Sequence, residues 1–113
     1  MELRKKYANF AKNLLDEVYQ IDIQSKDDIK IRKIFDEQTN NYLLIMDGWR
    51  GSSRLYGILI HLQVTQEGKI WVHQDNTDTI IIDKLLDLGV PKKDIVVGFH
   101  APIMRPDTDF AVA

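Results

Sequence analysis

The sequence predicts an α+β domain in which an N-terminal helix and a second helix pack together on an antiparallel meander of about four to five strands. Three observations predict this fold. Apolar residues recur at helical spacing at the start of the chain, they alternate with polar residues through its middle, and only short polar loops separate the alternating segments. Loops this short join antiparallel neighbours. Because no Pro/Gly/Ser-rich linker divides the chain, we expect a single domain over residues 1–113.

The first helix is predicted over residues 2–20. Its apolar residues lie three or four positions apart, which places them on one side of a helix: Leu3, Tyr7, Phe10, Leu14, Val18 and Ile21. Charged and amide side chains fall on the other faces, so this helix is expected to bury one side against the sheet.

Four strands are predicted over residues 29–36, 42–49, 54–65 and 69–74. The second strand is apolar on both faces, which is typical of a central strand. One face of the third strand is apolar throughout and carries Tyr56, Ile58, Ile60, Leu62 and Val64. In the first strand the apolar residues change faces between Ile31 and Ile34, which indicates a β-bulge or a misplaced strand end.

The second helix is predicted to begin near Thr77 or Asp78, either of which can cap the free amides of the first turn. Its apolar side consists of Ile81, Ile82, Leu85, Leu86 and Leu88. Gly89 supplies the left-handed residue that ends the helix, and Pro91 prevents its continuation. A short fifth strand is expected over residues 95–97, followed by an ordered but irregular tail.

Composition argues against several classes of protein. There is no cysteine, so disulfides, thiolate metal sites and cysteine nucleophiles are excluded, and a reducing compartment fits. No signal-like apolar run and no stretch of about 18 apolar residues is present, so we expect a cytoplasmic protein that does not enter a membrane. The net charge is -2 and neither half of the chain is a basic arm, so charge does not indicate nucleic-acid binding.

Two histidines and an aspartate suggest a metal site. His61 and His73 are expected on paired strands, with Asp75 two residues further on, and two histidines with one carboxylate can bind zinc or non-haem iron. The spacing is generic, because no HExxH or HxH motif is present. We therefore predict a hydrogen-bonded cross-strand histidine pair, with no metal and no cofactor.

A hydrolytic site is the second chemical possibility. His100 could act as a base oriented by Asp107 or Asp109, with Ser52 or Ser53 as the nucleophile. The serines lie in a segment without the GxSxG turn, and the chain has no glycine-rich phosphate loop. The serine segment is predicted to be a charged hairpin turn, and the chain is predicted not to be an enzyme.

Aromatic residues occupy three successive predicted strands: Trp49, Tyr56 and Trp71. Three basic residues border them: Arg50, Arg54 and Lys69. Aromatic and basic side chains on a sheet can stack nucleic-acid bases, and they are also typical anchors of protein interfaces. Packing between the sheet and the helices is the third interpretation.

A distinctive series of motifs runs through the chain. It consists of GW at 48–49, RxYG at 54–57, HL at 61–62, GKIW at 68–71, DxT at 75–77, GVPKxDIVVGFH at 89–100, Pro102, Arg105 and TDFAVA at 108–113. These motifs resemble those of the XisI family over essentially the whole chain. Two details depart from the family pattern. Ala101 stands where a second proline is expected, and Pro106-Asp107 stands where a different pair of residues, often one with tyrosine, is expected.

The resemblance implies a regulatory role. XisI proteins are described as controlling factors for excision of the fdxN element, a DNA segment removed during heterocyst differentiation in filamentous cyanobacteria. The resemblance implies a role alongside XisH, an endonuclease-like companion, and a separate site-specific recombinase. The resemblance therefore also implies a non-enzymatic protein that binds an XisH-like partner. The residues expected to contact this partner are Trp49, Arg54, Tyr56, Trp71, His100 and Arg105.

Three alternatives stay open. A DNA-binding accessory factor would need folding to cluster Arg50, Arg54 and Lys69. A small enzyme would use three histidines: His61, His73 and His100. Two copies of the chain could also pair along an uncovered sheet edge, such as the strand at residues 29–36.

Overall fold

Two α-helices and five strands make up the described part of the chain, residues 2–22, 28–77 and 80–113 of a computed structural model. In chain order they are α1 (Glu2–Asp22), β1 (Asp28–Asp36), β2 (Asn41–Arg50), β3 (Ser53–Val64), β4 (Ile70–Asp75), α2 (Ile81–Asp87) and β5 (Ile95–Val97). Two short 3₁₀ turns, Lys92–Asp94 and Pro102–Asp107, flank β5. The predicted α+β architecture is confirmed.

Helix α1 follows the predicted apolar spacing and ends two residues later than expected. Its buried side consists of Tyr7, Ala8, Ala11, Leu14, Leu15 and Val18. Leu3, which the sequence predicted on this side, is 40% exposed. Within the described ranges, neither helix combines the length and the apolar character needed to cross a bilayer.

The sheet has the strand order β1-β2-β3-β4-β5. The first three pairings are antiparallel, which confirms the predicted meander. β5 pairs with β4 in parallel because α2 carries the chain back to the start of β4, as a parallel neighbour requires. β1 therefore lies at one edge of the sheet, as the sequence suggested.

The bulge predicted in β1 is absent. The register between β1 and β2 runs without interruption from Asp28↔Trp49 to Asp36↔Asn41. Ile34 lies on the opposite face from Ile31 because strand residues alternate, and it is exposed.

A bulge lies instead in β3, at Leu59. Leu44 pairs with Ile60 and Ile45 pairs with Ile58, so Leu59 has no partner of its own. Leu59 and Ile60 are both buried as a result. The predicted continuous apolar face of β3 is therefore wrong, because Tyr56 and Ile58 lie on the opposite face from Ile60.

Both helices pack on one side of the sheet and enclose the core. The largest fully buried side chains are Leu15, Tyr42, Leu44, Ile60, Leu62, Ile70, Val72, Ile81, Leu85, Ile95 and Val96. No helix of the described residues packs on the other side of the sheet, and we call that side the open face. Its apolar and aromatic residues are Ile34, Leu43, Ile45, Trp49, Tyr56, Ile58 and Trp71, and its polar ones include Arg32, Asp47, Arg54, His61 and His73.

Helix α2 begins at Ile81, later than predicted. The carboxylate of Asp75 accepts hydrogen bonds from the Ile81 amide at 3.0 Å and from the Thr77 hydroxyl at 2.6 Å. Asp75 thus supplies the cap expected from Thr77, and the alternative cap, Asp78, lies outside the described residues. The predicted ending is confirmed: Gly89 has a φ of +93°, and two amides return to the last turn of the helix.

The C-terminal segment docks on β5, in keeping with the ordered, irregular tail predicted. The Ala111 amide donates to the Ile95 carbonyl at 2.9 Å, and Ala111 forms an isolated parallel bridge with Val96. Because this contact covers β5, β1 is the long edge strand that no other described segment pairs with.

Candidate functional site: the open face

A stripe of apolar side chains crosses the open face from the β1 edge to the β2–β3 turn. Cross-strand pairing brings Ile34 beside Leu43 and Ile45 beside Ile58. Ile34 is 44% exposed and Ile58 is 37% exposed, although each has apolar neighbours. A stripe of this kind is more informative than an isolated exposed leucine, because contiguous exposed apolar surface marks interaction sites.

The β2–β3 turn end of the stripe carries an arginine held by a carboxylate and two aromatic rings. Arg54 Nη1 lies 2.9 Å from Asp47 Oδ1, and its guanidinium carbon lies 5.3 Å from the ring of Trp49 and 4.8 Å from that of Tyr56. Arg32 Nη2 contacts Asp47 Oδ2 at 3.0 Å. Alternation places Asp47, Trp49, Arg54 and Tyr56 of β2 and β3 on the open face, and the pairing of Arg32 in β1 with Ile45 places Arg32 there too. We call these five residues the hairpin cluster.

Asp47 is charged at neutral pH. Hydrogen bonds from Arg32 and Arg54 hold the pKa of its carboxyl below the usual range. The cluster therefore has two positive charges and one negative charge. Trp49 is 46% exposed and Tyr56 63% exposed, so both rings remain available to a partner.

The opposite end of the open face carries a column of stacked side chains, which we call the ring column. The His61 and His73 ring centroids are 4.6 Å apart, and the Trp71 centroid lies 5.4 Å from that of His73. The Arg105 guanidinium lies over the ring of Trp71, 5.1 Å from its centroid. A shift in register places His73 without a partner between the pairs His61↔Gln74 and Leu62↔Val72, which brings its ring beside His61.

Both histidines favour the neutral form. Burial lowers the pKa of His61, as does the neighbouring His73, and the pKa of His73 is lowered by burial and by Arg105. His61 Nε2 lies 2.8 Å from Asn41 Oδ1, and His73 Nε2 lies 2.8 Å from Gln63 Oε1. The predicted hydrogen-bonded cross-strand pair is confirmed.

The metal-ligand set considered from the sequence is not assembled. Asp75 caps α2 instead of facing the histidines. Among the described residues, no three His, Cys, Asp or Glu side chains are grouped closely enough to hold a metal ion.

The hydrolytic arrangement is not assembled either. Ser53 begins β3, and nine residues of strand, roughly 30 Å at about 3.3 Å per residue, separate it from Leu62. Leu62 pairs with Val72, and Val72 pairs with Val97. His100 follows Val97 by three residues, so it lies near the end of β3 that is far from Ser53. His100 is exposed and packs edge-on against Phe99, with ring centroids 5.1 Å apart.

The six residues predicted to bind a partner fall into two groups. The hairpin cluster contains Trp49, Arg54 and Tyr56. The ring column contains Trp71 and Arg105, and His100 joins it only through its carbonyl, which accepts a hydrogen bond from Arg105 at 3.1 Å. Gln63, the partner of Trp71, lies nine positions after Arg54 along β3, which puts roughly 30 Å between the groups at about 3.3 Å per residue.

The basic cluster that a DNA-binding accessory factor would need does not form from Arg50, Arg54 and Lys69. Lys69 lies just before β4 and bonds to the backbone carbonyl of Ala113, whereas Arg54 and Arg50 lie at the β2–β3 turn, at the other end of β3. Sequence reasoning also missed the apolar stripe and the Arg32–Asp47 contact. The sequence of β1 contained a signal for the stripe, because Ile34 lies on the opposite face of the strand from Ile29 and Ile31.

The fold and the open face define a class of protein: a small α+β domain with helices on one side of a mixed sheet and exposed apolar side chains on the other. The XisI protein model matches residues 1–112, and the chain belongs to the XisI family. This confirms the resemblance in sequence.

Two crystal structures from Anabaena variabilis ATCC 29413 are similar to the chain. One is a XisI-like protein with 36% identity and a TM-score of 0.88, covering 97% of this chain and 99% of its own. The other is the fdxN element excision controlling factor XisI, with 35% identity and a TM-score of 0.83, covering 98% of this chain and 99% of its own. No curated protein is significantly similar to the chain.

Proposed function

We propose that this chain is a non-enzymatic controlling factor of DNA excision that acts in the cytoplasm by binding an XisH-like protein through its open face. The observation that carries the proposal is the exposed apolar stripe that links the hairpin cluster to the ring column. One of the two similar crystal structures is that of a protein described as an excision controlling factor, and this description supports the regulatory role.

The hairpin cluster has the composition of an interface anchor. Tryptophan, tyrosine and arginine contribute most of the binding energy in many protein interfaces. Arg54 is already held by Asp47 and by the Gly48 carbonyl, which accepts a hydrogen bond from its Nη1 at 3.2 Å. Because the guanidinium is ordered before binding, less conformational entropy is lost when a partner docks.

The stripe and the two end groups together give a surface of suitable extent. Roughly 30 Å separates the end groups, at about 3.3 Å per strand residue, which is the breadth of a standard protein interface of about 800 Å² per partner. The apolar centre with arginine-containing ends matches the usual arrangement of an apolar core and a polar rim.

Co-expression with an XisH-type protein from the same genome tests the proposal. The mixture is separated on a sizing column with light-scattering detection. We expect the two chains to co-elute at a defined stoichiometry. Separate elution at tens of micromolar of each chain would contradict the proposed function.

A further inference from the structure

A second surface lies on the helix-covered side of the molecule, between α1 and the β1–β2 turn. It is an open pocket of about 260 Å³ lined by Arg4, Lys5, Ala8, Asn9, Lys12, Glu37 and Asn40. None of these residues belongs to the open face.

The pocket is positively charged. Of the described residues that line it, three are cationic and one, Glu37, is a carboxylate; Lys12 donates to its Oε2 at 2.9 Å and Tyr42 to its Oε1 at 2.8 Å. These hydrogen bonds lower the pKa of Glu37, so it stays charged and neutralises Lys12. Arg4 and Lys5 remain uncompensated, and neither has an ion-pair partner in the described ranges.

Arg4 has an unused donor. Its Nη1 donates to Asn40 Oδ1 at 2.9 Å, but its Nε is buried and has no acceptor within the part of the chain described. Buried donors nearly always have a partner, and one without any destabilises the fold. The other terminal nitrogen, Nη2, is not buried and makes no hydrogen bond within the described residues, so it can donate to an anion in the pocket.

The floor of the pocket is held by a chain of hydrogen bonds. Asn40 has a φ of +55°, and its amide nitrogen donates to the hydroxyl of Tyr42, which is fully buried. Tyr42 in turn donates to Glu37, and Glu37 is tied to α1 through Lys12. The cationic side chains therefore approach a fixed wall, which reduces the ordering cost of a bound anion.

We propose that this pocket binds a phosphate group. The volume accommodates several times the roughly 30 Å³ share of one water molecule. Arginine and lysine side chains are the usual protein donors to phosphate oxygens, and two uncompensated cations match the charge of a phosphate monoester. The source is either a small phosphorylated molecule or the backbone of a nucleic acid.

Two adjacent lysines of α1 provide a matched pair of variants. Lys5 lines the pocket, whereas Lys6 lies outside it, with its Nζ 5.7 Å from the ring of Phe10. Both residues are exposed on the same helix, so Lys5→Glu and Lys6→Glu change the net charge equally. Any difference in binding between them reports the pocket and not the overall charge.

The probes are inorganic phosphate, a nucleoside monophosphate and a short DNA duplex, each titrated at constant ionic strength and followed by amide chemical shifts. At least one probe should shift residues of the pocket. Its affinity should fall about tenfold or more in Lys5→Glu and stay within about twofold of wild type in Lys6→Glu. Arg4→Lys, which removes the guanidinium donors and keeps the charge, should also weaken binding.

Which probe binds identifies the source. Binding of free phosphate or of the nucleotide alone indicates a small molecule, whereas binding of the duplex alone, with a strong dependence on salt, indicates a nucleic-acid backbone. No shift with any probe would overturn the proposal, and so would equal weakening by Lys5→Glu and Lys6→Glu. The experiment uses no partner protein, so its result is independent of the proposed function.

Discussion

Gly48 lies where β2 comes closest to β1, and its replacement by alanine tests the close approach directly. A Cβ at this position would lie 2.3 Å from the Asp28 carbonyl oxygen and 2.5 Å from the Ile29 Cα. Both are backbone atoms, so neither can move aside by a change of rotamer. The strands must separate at this end of the sheet, where Ile29 pairs with Gly48 and Asp28 pairs with Trp49.

The expected cost follows from the size of the clash. Forced insertion of one methyl group into a packed site destabilises a protein by about 1–3 kcal/mol, and contact with backbone favours the upper part of that range. Loss of glycine's flexibility in the unfolded chain offsets roughly 0.5–1 kcal/mol. We therefore expect Gly48→Ala to lower the free energy of unfolding by about 1–2 kcal/mol, or the melting temperature by roughly 5–10 °C in a domain of this size.

Gly57→Ala is the matched control, because a Cβ there meets nothing within 4 Å. Gly57 lies on the adjacent strand and pairs with Met46. Its replacement should leave the free energy of unfolding within about 0.5 kcal/mol of wild type or raise it slightly. Urea unfolding followed by tryptophan fluorescence measures both variants. Equal stability of the two variants would refute the packing described for β1 and β2.

Three further predictions concern hydrogen bonds and titration. Tyr42→Phe removes two hydrogen bonds and should lower the free energy of unfolding by about 1–2 kcal/mol, measured by urea titration. Folding lowers the pKa values of His61 and His73, so the stability that they contribute is complete above about pH 6.5 and is lost on acidification below it. NMR titration should place both midpoints below that value, and an ordinary midpoint for either would contradict the stacked geometry. Arg105→Ala removes a positive charge close to His73 and the guanidinium that lies over Trp71. The pKa of His73 should therefore rise, and an unchanged His73 titration would argue against the proximity of Arg105 to His73.

Local patterns were sufficient to predict most of the secondary structure. Helical spacing identified α1, and the glycine at position 89 identified the end of α2. The bulge was misplaced because register is a property of two strands: nothing within β3 itself shows that Leu59 has no partner in β2. The cap of α2 was misassigned because Asp75 acts from six residues before Ile81, beyond the range of a local capping motif.

The candidate sites could be predicted only in part. Alternation along β3 and β4 was enough to place His61 near His73, but the sequence groups the three aromatic residues together and does not show that they lie at two ends of the open face. Long-range contacts determine the rest. The phosphate pocket forms because Glu37 meets Lys12 from 25 residues away, and in sequence Arg4 and Lys5 look like part of a solvated helix face.

The most direct test of the central claim is the affinity of an XisH-type partner for two variants that carry the same new charge. Ile58→Asp places a carboxylate in the centre of the open face, whereas Leu88→Asp places one at the end of α2, where the native side chain is 45% exposed. Calorimetric titration of the folded variants should show at least about tenfold weaker binding for Ile58→Asp and near wild-type binding for Leu88→Asp. Wild-type affinity in Ile58→Asp would contradict docking through the open face.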